Sequence, residues 1–126
     1  MHLCTLAAPD SLPALVHCAG GADRTGIISA LVLGIAGVPA ETIAQDYALT
    51  ARFHFPRYLE NHLENHPEID PASYTLQDFE RDTRSPEVML AVLRDLDERH
   101  CGVEGYALHI GLSQDEINFL REAMVD

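Results

Sequence analysis

Cys18 and Arg24, six residues apart, are the residues of this chain whose types and spacing are best suited to chemistry. Two glycines lie between them, and Thr25-Gly26 follows. A glycine-bearing loop that leads into a helix N-terminus directs several backbone N–H groups toward one point, where they bind an anion. The same groups and a nearby arginine stabilise a thiolate, and a guanidinium binds two phosphate oxygens at once. The spacing therefore indicates a thiolate that attacks a bound phosphoryl group.

The segments on either side must position this loop. Leu12 to Val16 is a short apolar run, which predicts a buried strand. The uncharged residues that follow the loop predict a helix from about Thr25 to Ala36, which Gly37 ends. Because this helix is apolar nearly all round, we expect it to be buried on every side.

The rest of the chain is predicted to be helical with one long loop. Pro67 to Arg84 has no clear periodicity and is predicted to be that loop. Ser113 and Glu116 have the spacing of a capping box, which marks the start of the last helix. The other predicted helices are the end of one at Met1 to Ala8, then Pro39 to Ala51, Pro56 to Pro67, Ser85 to Gly102, and Val103 to His109.

The segment His17 to Gly26 resembles the signature His-Cys-x5-Arg-Ser/Thr-Gly of the cysteine-dependent protein tyrosine phosphatases. Asp46–Thr50, Leu96–Arg99 and Gly102–Tyr106 resemble one bacterial branch of atypical tyrosine phosphatases. Some members of that branch also act on serine/threonine phosphates or phosphoinositides. The branch usually has a lysine where this chain has Ala22, and its members are usually longer at the N-terminal side.

The resemblance implies an α/β fold in which a sheet is flanked by helices. This chain would be the C-terminal portion of that single domain, over 1–126, with the phosphate-binding loop at 17–26 and a helical remainder at 27–126. It would be mostly helical, with one clear strand that leads into the loop. Because one strand cannot satisfy its own backbone groups, three explanations are open. The chain is a truncated part of the domain, or a homo-oligomer or strand exchange between copies completes the sheet, or the molecule lacks the other strands.

The resemblance also implies a role for each loop residue. Cys18 would be the nucleophile and form a cysteinyl-phosphate, and Arg24 would stabilise the charge of the transition state. Thr25 would donate a hydrogen bond to the thiolate, and His17 would order the loop from behind. The phosphate-binding residues would be Ala19, Gly20, Gly21, Ala22, Asp23 and Arg24.

Asp23 is the candidate general acid in this branch. A carboxylate beside a bound phosphate dianion is shifted toward its protonated form, from which it donates a proton to the leaving oxygen. The alternative is a loop carboxylate that faces solvent and takes no part in catalysis. A second open question is the cluster Arg52 to Tyr58, which would either form a lid over a phosphotyrosine ring or pack in the core.

Charge and cysteine content restrict the partners and the compartment. The net charge is −12 and there is no lysine, so nucleic acid and anionic membrane surfaces are repelled. Three widely spaced cysteines form a poor disulfide framework, which indicates a reducing, cytoplasmic location. The longest uncharged run, Thr25 to Ala40, is too short to span a membrane, and no secretory signal opens the chain. No metal or other cofactor is expected, because Arg24 and the loop amides supply the positive charge.

The sequence therefore predicts a phosphoric monoester hydrolase, a protein-tyrosine phosphatase that acts on a phosphotyrosine protein or a small aryl phosphate. The first alternative is a catalytically inactive phosphate-binding remnant or interaction module. The second is another cysteine-loop enzyme, such as a sulfurtransferase or an arsenate reductase. The intact set of Cys18, Arg24 and Thr25 favours an active enzyme, and Thr25-Gly26 with Asp46-Tyr47 favours the phosphatase.

Overall fold

The fold, known from a computed structural model that describes residues 2–125 and the side chains of 3–125, is built from α-helices. A single turn of 3₁₀ helix, Pro71–Ser73, joins the third helix to the fourth. In chain order the helices of this range are α1 (His2–Leu6), α2 (Asp23–Ile35), α3 (Ala40–Asn65), α4 (Leu76–Thr83), α5 (Pro86–His100), α6 (Val103–His109) and α7 (Gln114–Met124).

The predicted strand at Leu12 to Val16 is absent, so the prediction of an α/β chain with a sheet flanked by helices is wrong. Within 2–125 there is no strand, and this segment is irregular. A strand needs a neighbour to pair its N–H and C=O groups, and no described segment provides one. Leu15 is 90% exposed, so the segment is not buried either. Self-association of the chain stays a prediction.

Helix α2 lies between two apolar clusters and joins them. Leu31 and Ile35 belong to the first cluster, which α2 forms with α1, α6 and α7, whereas Ala30 belongs to the second, formed with α3 and α5. Burial on two sides explains why this helix has no polar stripe. The expectation of burial on every side is wrong at Ile27, which is 45% exposed.

Helix α3 is a single helix where two were predicted. Pro56 lies inside it and does not end it. A proline in a helix interior costs about 3 kcal/mol through its missing hydrogen bond and its steric clash. Packing of α3 against α2, α4 and α5 offsets that cost and holds the two halves in line. Although α3 has 26 residues, none of the described helices is apolar enough over a sufficient length to cross a membrane.

Helix α4 lies within the segment that was predicted to be a loop. It begins with a capping box in which Thr75 and Asp78 exchange side-chain hydrogen bonds with each other's backbone N–H groups. Phe79 is its buried residue. The predictions for α5, α6 and α7 are confirmed, and the Ser113 capping box is present at the start of α7.

Gly105 allows a close approach of α5 to α6. A Cβ atom on this residue would overlap the backbone carbonyl oxygen of His100. In an open helix, replacing glycine with alanine stabilises by about 1 kcal/mol. Here we expect Gly105→Ala to lower the free energy of unfolding by about 2 kcal/mol, because the two backbones must move apart.

Urea unfolding monitored by circular dichroism measures this change. The reverse substitution at an exposed helical position, Ala91→Gly in α5, gives the effect of propensity alone in the same chain. An increase in stability for Gly105→Ala would contradict the close approach.

Candidate active site

The segment His17 to Ala22 is an irregular loop that ends at the N-terminus of α2. Gly21 has a φ of +66°, a left-handed conformation that favours glycine. Ala22, the N-cap of α2, is buried and has no side chain that could cap the helix. The first N–H groups of α2 are therefore free of a side-chain cap, and such groups bind anions.

Cys18 has a strongly acidified thiol. Its pKa is lowered from 9.0 to about 6, and the largest cause is a hydrogen bond from the Thr25 side chain. The backbone N–H of Thr25 contributes next, and those of Gly21 and Gly20 contribute less, while partial burial acts in the opposite direction. A thiol with a pKa of about 6 is a thiolate at neutral pH, and the thiolate is the nucleophilic form.

The Thr25 hydroxyl has no other obvious use in the fold. Its Oγ1 is buried and has no hydrogen-bond partner of ordinary geometry among the described residues. A buried hydroxyl without a partner destabilises the protein. Its effect is to lower the pKa of Cys18, so the thiolate is the group that it stabilises.

Cys18 opens into a cavity of about 480 Å³, here named the thiol cavity. Arg24 and Thr25 lie on its wall, so the structure brings together the three residues that the sequence predicted to act on one phosphate. Arg24 is exposed and forms no ion pair within 2–125, which leaves its guanidinium available to an anion. The apolar part of the wall includes Leu15 and Ile28.

His17 lies on the wall of the thiol cavity beside Cys18. Its side chain is exposed and makes no hydrogen bond to any residue in the described range. The role suggested for it, ordering the loop from behind through a hydrogen bond, stays a prediction.

Asp23, the first residue of α2, is paired with a second arginine. Its Oδ1 is 3.9 Å from a terminal nitrogen of Arg84, and its side chain is 74% exposed. Burial raises the pKa of Tyr47, with the Asp23 carboxylate adding to the rise and Arg84 opposing it. The three side chains therefore form one electrostatic group at the start of α2.

Tyr47 also supports the loop mechanically. A Cβ atom on Gly26 would be 3.0 Å from Cδ2 of Tyr47, so the tyrosine ring lies directly against the first turn of α2. Glycine is required at this position because a side chain would push the ring, or the helix, out of place. Thr25 and Gly26 thus have separate uses: the threonine lowers the pKa of Cys18, and the glycine leaves room for the Tyr47 ring.

A second cavity, of about 640 Å³ and here named the aromatic cavity, lies against Ala19 and Gly20 of the loop. Its aromatic lining comes from α3 and α4, where Tyr58 and Phe79 have ring centroids 4.8 Å apart. The two interpretations of the Arg52 to Tyr58 cluster apply to different residues, and a lid over a phosphotyrosine ring stays a prediction. Phe55 packs on α4, at 5.6 Å from Phe79, whereas Phe53, Arg57 and Tyr58 line the cavity.

Sequence reasoning missed Arg84 and Phe79. Both lie in the segment that was predicted to be a loop, and neither is part of a recognisable motif. The capping-box spacing of Thr75 and Asp78 was the one available signal, since it would have placed Phe79 on a helix. No group of three or more metal-ligating side chains occurs in the part of the chain that the structure describes.

The acidity of Cys18 predicts the pH dependence of its alkylation. Because its folded pKa is depressed, the thiolate persists as the pH falls and is lost only near pH 6. We expect the rate of iodoacetamide modification at Cys18, followed by peptide mapping, to rise with a midpoint at about pH 6. Thr25→Val removes the largest cause and moves the midpoint upward, whereas the matched control Thr25→Ser retains a hydroxyl and stays near wild type. Equal midpoints for Thr25→Val and wild type would refute the assignment.

Comparisons with known proteins place this site in a family. The model of the tyrosine phosphatase family matches residues 2–126. A tyrosine-protein phosphatase of Nostoc commune is 34% identical over 123 residues, which cover 92% of this chain and 40% of that protein. The triple specificity protein phosphatase PtpB of Mycobacterium tuberculosis is 27% identical over 122 residues, covering 90% of this chain and 44% of that protein. No solved structure matches at a significant level.

The chain therefore spans less than half the length of these two relatives. The family match, in contrast, extends over nearly every residue of the chain and includes the whole loop from His17 to Gly26. The acidified cysteine, the arginine beside it and the family match agree, and we conclude that the chain belongs to the tyrosine phosphatase family.

Proposed function

We propose that this chain carries the catalytic loop of a protein-tyrosine phosphatase that acts through a cysteinyl-phosphate intermediate. The observation that carries the proposal is the pKa of Cys18, lowered to about 6 by Thr25 and the loop amides, in a cavity that Arg24 shares. A nucleophile, a phosphate-binding cation and a set of amide donors are the parts that phosphoryl transfer to sulfur requires.

In the first step the thiolate of Cys18 attacks phosphorus, and the bond from phosphorus to the leaving oxygen breaks. The guanidinium of Arg24 and the N–H groups at the start of α2 stabilise the negative charge on the three non-bridging oxygens. Asp23 gives its proton to the leaving oxygen, so that an alcohol or a phenol departs.

In the second step water hydrolyses the cysteinyl-phosphate. The deprotonated Asp23 accepts a proton from the attacking water, and the bond between phosphorus and sulfur breaks. The sulfur leaves as a thiolate, which the Thr25 hydroxyl stabilises by the hydrogen bond that also lowers the Cys18 pKa. The products are inorganic phosphate and the free enzyme.

The aromatic cavity supports phosphotyrosine as the substrate. It adjoins the loop at Ala19 and Gly20, and Phe53 and Tyr58 offer ring surfaces to a phenyl group. A phosphotyrosine places its backbone several ångströms further from the phosphate than a phosphoserine does, because the phenyl ring lies between the two. The aromatic cavity lies beside the loop and is lined by rings of α3 and α4, so that the phenyl ring of the longer side chain can pack there.

Turnover of para-nitrophenyl phosphate with a chelator present is the direct test of the proposal. We expect hydrolysis that vanadate inhibits and that Cys18→Ser abolishes, whereas Cys101→Ser, at an exposed cysteine outside both cavities, retains it. Activity that survives Cys18→Ser would refute the cysteinyl-phosphate mechanism.

Asp23→Asn tests the general acid. An alkyl phosphate has a poor leaving group and needs a proton in the transition state, so we expect its kcat to fall about 10²-fold. The kcat for para-nitrophenyl phosphate, whose leaving group departs as an anion, should fall much less. Asp46→Asn, at an exposed carboxylate of α3, is the matched control. Equal losses on both substrates would assign Asp23 a structural role instead.

The non-catalytic alternative is a phosphate-binding module. The high exposure of Leu15, on the wall of the thiol cavity, favours it, since a working site usually excludes water from the nucleophile. This alternative predicts that a folded chain binds vanadate or phosphotyrosine with no turnover. The proposal predicts both binding and turnover.

The chemistry of Cys18 also supports a reducing location such as the bacterial cytoplasm. None of the three cysteines is in a disulfide. An exposed, acidified thiolate is readily oxidised to the sulfenic acid, which cannot attack phosphorus. A phosphatase with this nucleophile needs a compartment that keeps thiols reduced.

A further inference from the structure

Arg84 is a mostly buried cation without an adequate partner. Its side chain is only 16% exposed, and its Nε is fully buried with no hydrogen-bond acceptor among the described residues. Its one ion pair, to Asp23, is at 3.9 Å, near the limit for such a pair, and it uses a terminal nitrogen rather than Nε. Buried guanidinium donors are normally paired. The residues of the described range thus leave much of the hydrogen-bonding capacity of Arg84 unused, and the exposed part of its side chain lines the aromatic cavity, where a ligand could supply an acceptor.

The surroundings of Arg84 are locally positive in an acidic protein. The aromatic cavity is lined by two of the eight arginines, Arg57 and Arg84, and by no carboxylate. Asp23, which does not line this cavity, is the one carboxylate of the described residues that forms an ion pair with Arg84. The chain as a whole has a net charge of −12. A recessed cavity with low-dielectric walls concentrates the field of its own charges, so this site attracts an anion that the outer surface repels.

Starting from the proposed function, we infer that Arg84 binds a second anionic group of the substrate, next to the phosphorylated residue. That group is a carboxylate or a phosphate, and the substrate class is phosphotyrosine peptides with an acidic neighbour. The phosphotyrosine phosphate occupies the loop, its ring lies in the aromatic cavity, and the neighbouring anion accepts hydrogen bonds from Arg84. Arg57, exposed on α3, adds positive charge at the cavity mouth.

A peptide fits these observations better than a lipid headgroup does. A short peptide brings one or two charges into the cavity and experiences mainly the local field. An anionic bilayer extends over a wide face of the molecule and meets the excess of carboxylates, and that excess repels it. The aromatic lining also favours a phenyl ring over an inositol ring.

Binding without turnover tests this inference. In a Cys18→Ser background, dissociation constants are measured for three phosphotyrosine peptides that differ at one neighbouring position, which is glutamate, phosphoserine or glutamine. We expect the two acidic peptides to bind about tenfold more tightly than the glutamine peptide, the gain typical of a charge-assisted pair. A larger gain for phosphoserine than for glutamate would identify phosphate as the preferred anion.

In the same background, Arg84→Gln should reduce the ratio of the glutamine peptide's dissociation constant to that of an acidic peptide to about one. Arg84→Lys should retain part of the preference because the charge remains. Arg94→Gln, at an exposed arginine of α5 outside the aromatic cavity, is the matched control and should leave the preference intact. Circular dichroism verifies that each variant is folded.

If the Cys18→Ser protein, with Arg84 unchanged, binds all three peptides with equal affinity, the inference is overturned. This measurement needs no substitution at Arg84. A preference that survives in folded Arg84→Gln would also overturn it. A third outcome separates the two proposals. If the Cys18→Ser protein prefers the acidic peptides but the wild-type protein catalyses no turnover, the proposed function is contradicted and the second anion site is still supported.

Discussion

The burial of α2 on two sides is the constraint on which the rest of the site depends. One cluster holds it against α1, α6 and α7, and the other holds it against α3 and α5. A helix fixed in this way has a fixed N-terminus, and the amide groups at that end point at one place. Cys18 is acidic because Thr25, in the first turn of the same helix, faces its sulfur. The acidity of Cys18 therefore depends on apolar packing further along the helix.

The positive charges near the loop differ in sign from the rest of the protein, which is strongly acidic. The segment from Glu60 onward has sixteen acidic residues and five arginines. Arg24 nevertheless lines the thiol cavity, and Arg84 lines the aromatic cavity. A small anion that reaches the loop thus meets cations at short range, where Coulomb interactions exceed the screened repulsion of distant carboxylates.

The parts of the site that are local in sequence were predictable, and the parts assembled from distant segments were not. The loop from His17 to Gly26 could be identified because its residues act together within a few positions. Helix α5 and the capping box of α7 were likewise marked by local signals. Arg84 comes to Asp23 only through the packing of α4 and α5 on α3, which no pattern near Arg84 encodes.

The strand prediction failed for a related reason. An apolar run such as Leu12 to Val16 becomes a strand only when another segment pairs with it, and within the described range none does. The sequence likewise could not predict that α3 is one continuous helix, since a proline such as Pro56 normally indicates a helix boundary. In both cases the neighbours in space, not the residues themselves, determined the outcome.

The proline inside α3 divides that helix between two tasks. Before it lies Tyr47, whose ring holds the first turn of α2. After it lie Arg57 and Tyr58, which line the aromatic cavity. Because Pro56 removes one backbone hydrogen bond between these halves, it is packing on the neighbouring helices that keeps the two halves in line. One helix thus fixes both the first turn of α2 and a wall of the aromatic cavity, and their relative position depends on its continuity.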